Sequence, residues 1–292
     1  MEKMIHIVHR ASRGGATDQV EQNRMVVAPR DFPGQSPFLL LMEDWFRAPG
    51  GFATHPHRGF ETVTLVLEGA IEHRDHTGSH GVLHAGDVQW MTAGGGVLHS
   101  ELPHGEALAH TLQLWLNLPA VRKMTPARYR DQRLADTPVW RAPGVEVRVY
   151  AGQAGTGAQA VDQAHSSLWP LHLLDIRLAP GAAWQQTLPA RFRGFAYVLE
   201  GSGVAGGEPT RVSATDAAWF EPGDVDVGAD ATDTLTLRAG DESMRVIVYA
   251  GVPIDEPVAA YGPFVMNTMS EVQRAYADFH AGRLTDPASG QS

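Results

Sequence analysis

The chain repeats itself once, and both copies are written in short runs that stop on glycine. Gly59-Phe60 followed by Val66-Leu67-Glu68-Gly69 is matched by Gly194-Phe195 followed by Val198-Leu199-Glu200-Gly201. Further on, Ala85-Gly86-Asp87-Val88-Gln89-Trp90-Met91 is matched more loosely by Ala214-Thr215-Asp216-Ala217-Ala218-Trp219-Phe220. Short β-favouring runs punctuated by Gly, Pro and Asp read as antiparallel strands joined by tight turns. Their repetition predicts an all-β chain of two antiparallel barrels in tandem. At 292 residues the chain is long for one barrel and ample for two. The join falls in 134–144, where Pro138 and Pro143 stand, and divides the chain into domains 1–135 and 136–292.

The chemistry is concentrated in the first copy, where nine of the fourteen histidines lie between His55 and His110. His55-Pro56-His57 and His99-Ser100-Glu101 each set two metal-ligand side chains two residues apart. In a strand that spacing puts both on one face. Two such pairs on neighbouring strands aim three imidazoles and a carboxylate at one point, a seat for a divalent transition metal. A single His-x-His is more often two surface histidines. Here Gly50-Gly51 precedes the first pair and Ala93-Gly94-Gly95-Gly96 the second, so both stand among strands and turns. Parity leaves the fourth ligand open, because Glu61 shares it with His57 as Glu101 does with His99. Cysteine is absent, so nitrogen and oxygen must hold any metal. The second copy lacks the histidines. Positions matching the first pair fall near Thr187, Pro189, Ala190 and Phe192, and those matching the second near Gly228 and Asp230. The second half is therefore expected to lack a metal site and to serve as a structural or pocket-forming partner.

A net charge of −10 argues against binding nucleic acid backbones. The basic run Arg122, Lys123, Arg128, Arg130 and Arg133 reads as a solvated connecting segment. No stretch approaches the ~20 apolar residues of a membrane span. The start, Met1-Glu2-Lys3-Met4-Ile5-His6, lacks the apolar core of a secretory signal, so a cytoplasmic, non-membrane protein is expected. The Gly-, Ala-, Gln- and Ser-rich stretch 153–167 reads as a mobile loop. Near the end Val272, Ala275, Tyr276 and Phe279 recur at helical spacing, with Thr268 and Glu271 as a capping box and Gly282 as the stop. That helix is expected to lay its apolar stripe on one barrel, with the tail from Leu284 onward frayed.

Longer motifs carry a resemblance. His55-Pro56-His57-Arg58-Gly59-Phe60-Glu61-Thr62-Val63, Gly86-Asp87-Val88-Gln89-Trp90-Met91-Thr92-Ala93-Gly94 with His99-Ser100-Glu101, and Tyr261-Gly262-Pro263-Phe264-Val265-Met266-Asn267 together resemble the pirin branch of the cupin superfamily. The resemblance implies a bicupin, two jelly-roll barrels packed face to face, with the metal in the amino-terminal one. In many cupins the carboxylate ligand stands at the place of Glu61. In pirins it stands two residues after the third histidine. The resemblance therefore implies His55, His57, His99 and Glu101 as ligands, and leaves Glu61 to hold a neighbouring group.

Three neutral imidazoles and a carboxylate leave about two positions of an octahedral ion open for water, dioxygen or a chelating substrate. Iron(II) suits this set; Mn, Ni, Cu, Co and Zn are compatible with it. Pirins have been credited with quercetin 2,3-dioxygenase activity, which implies a flavonol substrate, dioxygen and release of carbon monoxide, with Glu101 as catalytic base. Phe52, Arg58, Phe60, Met91 and Gln113 are the expected substrate-pocket residues. The same resemblance implies an alternative, a non-enzymic regulator that responds to iron oxidation state and acts by protein contact. A third reading is turnover of another dioxygen-reactive aromatic, with quercetin as surrogate.

Overall fold

The computed structural model describes residues 1–155, 157–164, 166–223 and 230–286, and these are mostly β-strand. Among them no helix is long and apolar enough to cross a membrane. The chain forms two compact units that are not contiguous in sequence. One is Ser12–Ala135 with Ile254–Ser292; the other is Met1–Ala11 with Asp136–Pro253. The chain ends thus trade places, which a division into 1–135 and 136–292 misses. The physical reason is edge pairing and docking. Strand Ile5–Arg10 pairs antiparallel with Asp216–Phe220 and closes the edge of the second unit's large sheet. The terminal helix packs on the first unit instead.

In that first unit two antiparallel sheets face each other. The larger runs Arg128–Gln132, Val88–Thr92, Phe60–Glu68, Ala109–Asn117, Phe38–Phe46, Gln22–Val27, Ser12–Gly14. The smaller runs Phe52–His57, Val97–Pro103, Ala70–Asp75, His80–His84. Gly59 carries the chain from the smaller sheet to the larger at a φ of 92°. A Cβ there would collide with the Val265 carbonyl, so the turn requires glycine. The second unit repeats the plan around one apolar core that includes Val147, Leu174, Ile176, Phe220, Leu235 and Val246.

Helix Met269–His280 starts on Thr268, whose side chain accepts from the Glu271 backbone in a complete capping box. Gly282 follows at a φ of 69°. Val272 and Ala275 are buried with Phe264, Met266 and Leu284, and the half-buried Tyr276 and Phe279, like Leu98 and Met124, pack against that cluster. The frayed tail is corrected as far as it is described. Leu284 is only 2% exposed, its carbonyl accepting from Arg58 at 3.0 Å, and residues 287–292 lie outside the described residues.

Two other expectations change. Within 153–167, strand Val161–Gln163 pairs with Gly152–Ala154, because the polar stretch still offers an extended backbone to an open edge; Thr156 and His165 lie outside the described residues. In the basic run, Lys123 is buried, not solvated. Its ammonium donates to Asn117 Oδ1 at 2.7 Å, Gly59 O at 2.8 Å and Val265 O at 3.1 Å. Burial pushes its pKa down to about 7.

Candidate metal centre

Antiparallel pairing sets His99 directly opposite His55, and His57 opposite Val97. One ring nitrogen from each of His55, His57 and His99 lies within 4.8 Å of the others. His55 Nδ1 stands 2.8 Å from the Ala53 carbonyl, and His57 Nδ1 stands 3.4 Å from the Pro263 carbonyl. A carbonyl only accepts, so each Nδ1 carries the proton and each Nε2 is a bare lone pair. Those two Nε2 atoms are 3.1 Å apart, and in these neutral tautomers no proton lies between them. The Nε2 of His99 is buried and has no hydrogen-bond partner. Facing lone pairs repel, and a cation between them removes the conflict. The donor set fits a divalent transition metal.

Charge agrees with that fit. Burial, then the neighbouring His55, pushes the His57 pKa down to about 3, with the Pro263 carbonyl opposing. Burial and the three other imidazoles hold His99 well below the usual histidine range. Both rings are therefore neutral near pH 7, the state in which imidazole ligates metal.

Glu101 lies on the same strand face as His99 but outside the three-nitrogen group. The register slips between His99 and Glu101, so that Glu101 meets Phe52. Its carboxylate reaches the facing sheet, where Gln113 Nε2 donates at 2.5 Å and Thr64 Oγ1 at 3.1 Å. Glu61 points the other way. The turn at Gly59 breaks the parity with His57, Phe60 and Thr64 take the inner face, and Glu61 accepts from Thr92 Oγ1 at 2.5 Å.

The expected pocket residues divide. Phe60 lies 5.1 Å from the His57 ring, Phe52 lies 6.5 Å from the His55 ring, and Gln113 holds Glu101. Met91 packs with Ala93, Val97 and Tyr129. Arg58 is committed elsewhere. Its guanidinium donates to Gly95 O, Asp278 Oδ2 and Leu284 O at 2.6, 2.8 and 3.0 Å. A buried guanidinium needs acceptors on every side, and the carboxyl-terminal segment supplies two of them.

Sequence reasoning missed Thr64, Trp115, Pro263, His73 and Asp44. Strand parity with Phe60 and Gln113 is the signal for Thr64 and Trp115; Pro263 offers none, because its contact depends on how the tail docks. Trp115 lies 5.2 Å from the His57 ring. Asp44 is buried on strand Phe38–Phe46, and burial, then Glu101 and Glu43, pushes its pKa up to about 7. A raised carboxyl pKa gives stability that is full below the unfolded value near 4 and lost as pH rises through 7. Asp44→Asn should therefore melt higher than the parent at pH 8, by up to a few kcal/mol, with the gap closing by pH 4. Equal melting temperatures at pH 8 would contradict this.

In the second unit the positions matching the first histidine pair hold a cation of the chain's own. The buried Lys3 ammonium donates to Ala190 O at 2.7 Å, Phe192 O at 3.0 Å and Glu221 O at 3.1 Å, beside Asp233 at 3.4 Å. Asp230 is exposed, and Gly228 lies outside the described residues. Among the described residues, His55, His57 and His99 form the one group able to hold a metal ion.

The chain is similar to known proteins along most of its length. The family described as Pirin matches residues 24–116, and the one described as Pirin C-terminal cupin domain matches residues 173–285. Pirin-1 of Arabidopsis thaliana is 42% identical over 245 residues, covering 83% of this chain and 81% of that protein. Pirin of Homo sapiens is 37% identical over 245 residues, covering 83% and 81%. The crystal structure of quercetin 2,3-dioxygenase from Acinetobacter baumannii superposes with a TM-score of 0.84 at 32% identity, covering 97% of this chain and 99% of that one.

Proposed function

The chain belongs to the pirin family of bicupins, and from that premise we propose that it is a metal-dependent dioxygenase that opens the ring of a flavonol such as quercetin. The single observation that carries the reading is the buried, unpartnered Nε2 of His99 beside the bare Nε2 atoms of His55 and His57. These three would hold the ion, iron(II) first among the candidates, with Glu101 as fourth ligand after a turn of its side chain away from Gln113. A metal held there supplies a Lewis-acid and redox centre for dioxygen chemistry.

The chain's own residues do the rest. Glu101, once turned away from Gln113, takes the proton of the flavonol hydroxyl on a carboxylate oxygen. Phe52, Phe60 and Trp115 offer aromatic faces and edges to a flat substrate. Both atoms of dioxygen enter the product and one ring carbon leaves as carbon monoxide. Under air, metal-loaded protein should consume oxygen when quercetin is added, and chelator-treated protein should not. Equal rates with and without metal would end the enzymatic reading for this substrate.

One observation favours a regulatory reading alongside it. His57 leans on Pro263, and the same carboxyl-terminal segment exposes Tyr261 and Met269. A change at the metal would reach a surface that a protein partner can read. Metal-dependent protection of this segment from hydrogen exchange, without quercetin turnover, would favour that reading.

A further inference from the structure

His73 stands on strand Ala70–Asp75, fully buried and paired in register with Glu101. Its Nε2 lies 3.2 Å from His99 Nδ1, and the described structure gives that Nδ1 no other partner. The outer atoms of the pair, His73 Nδ1 and His99 Nε2, are both buried and unpartnered. Two neutral imidazoles in this contact can place their protons in two ways. If His99 donates from Nδ1, its Nε2 faces His55 and His57 as a lone pair. If His73 donates from Nε2, a proton sits on His99 Nε2, inside the cluster and in the metal's place.

We infer that His73 is a positioning residue that accepts the Nδ1 proton of His99 and so keeps its Nε2 bare. His55 and His57 lean on backbone carbonyls for the same purpose, whereas His99 leans on a side chain. The Tyr129 ring, 5.3 Å from that of His73, helps fix the acceptor's orientation. A ligating imidazole whose far nitrogen loses its acceptor loses tautomer and orientation together. The inference rests on reading the cluster as a metal site, and its test separates the two.

Long-range nitrogen–proton correlation spectra of metal-free protein report which nitrogen of His99 is protonated. Cobalt(II) titration followed by visible absorbance reports affinity. The parent should carry the His99 proton on Nδ1. His73→Leu should let it move to Nε2 and weaken cobalt binding about 10–100-fold. His73→Gln, which keeps an acceptor oxygen, should stay within about threefold of the parent. A parent protonated on Nε2, a folded His73→Leu that binds as the parent does, or a His73→Gln as weak as His73→Leu would each overturn the inference. If His73→Leu does not fold, the parent's spectrum and His73→Gln decide. If the parent binds no cobalt, the metal reading fails by itself, and the His99 tautomer still decides the role of His73.

Discussion

Replacing both His57 and His99 with alanine should strip the metal from this protein while its barrels stay folded. The double variant leaves His55 as the one imidazole of the cluster, and an affinity loss of well over 100-fold is expected, beyond the 10–100-fold that loss of an outer partner brings. Stability of the metal-free protein should suffer little. The imidazoles it loses carry a bare buried nitrogen and a pair of facing lone pairs, which cost the folded state free energy. Elemental analysis after purification checks the first claim and thermal melting the second. Glu61→Gln should keep its metal, because that side chain faces Thr92, and so should Thr187→Ala and Asp230→Asn in the other unit. Full metal content in the double variant would remove the ligand assignment.

Arg58→Met should destabilise the protein by about 3–5 kcal/mol, since it leaves the Asp278 carboxylate and two carbonyls without their buried cation. For a unit of this size that lowers the melting temperature by roughly 10 °C. Arg58→Lys should rescue only in part, because an ammonium cannot reach three acceptors set around a planar fork. The loss should also loosen Pro263 and with it the support of His57. An unchanged melting temperature would mean that the carboxyl-terminal segment is held by its apolar contacts alone.

How much of this was legible in the sequence follows from which interactions are local. Strand alternation is a local rule, so His55, His57 and His99 were found from spacing. The Thr268 capping box and the apolar spacing of the last helix are local too, and both appear as read. The exchange of the chain ends was not legible. Nothing within Ile5–Arg10 says which sheet edge it will close, and nothing within Met269–His280 says which barrel will receive Val272. Arg58, expected in the substrate pocket, and Lys123, expected in solvent, misled for the same reason. Nothing local shows that distant carbonyls arrive to bury each cation. Glu61 shows parity failing by a single residue at the Gly59 turn, whereas Glu101 keeps the face of His99 past the slip in pairing with Phe52. His73 lay in plain view among nine clustered histidines, but only the facing of two strands gives it His99 as a partner.

The most direct test of the whole reading is the yield of carbon monoxide per quercetin consumed by metal-loaded protein under air, with the His57→Ala/His99→Ala variant beside it. Simple oxidation of the flavonol releases none, whereas insertion of dioxygen across the ring expels one carbon. The account predicts about one carbon monoxide per flavonol for the parent and none for the variant. Quercetin consumed by the parent without carbon monoxide, or equal yields from both proteins, would contradict it.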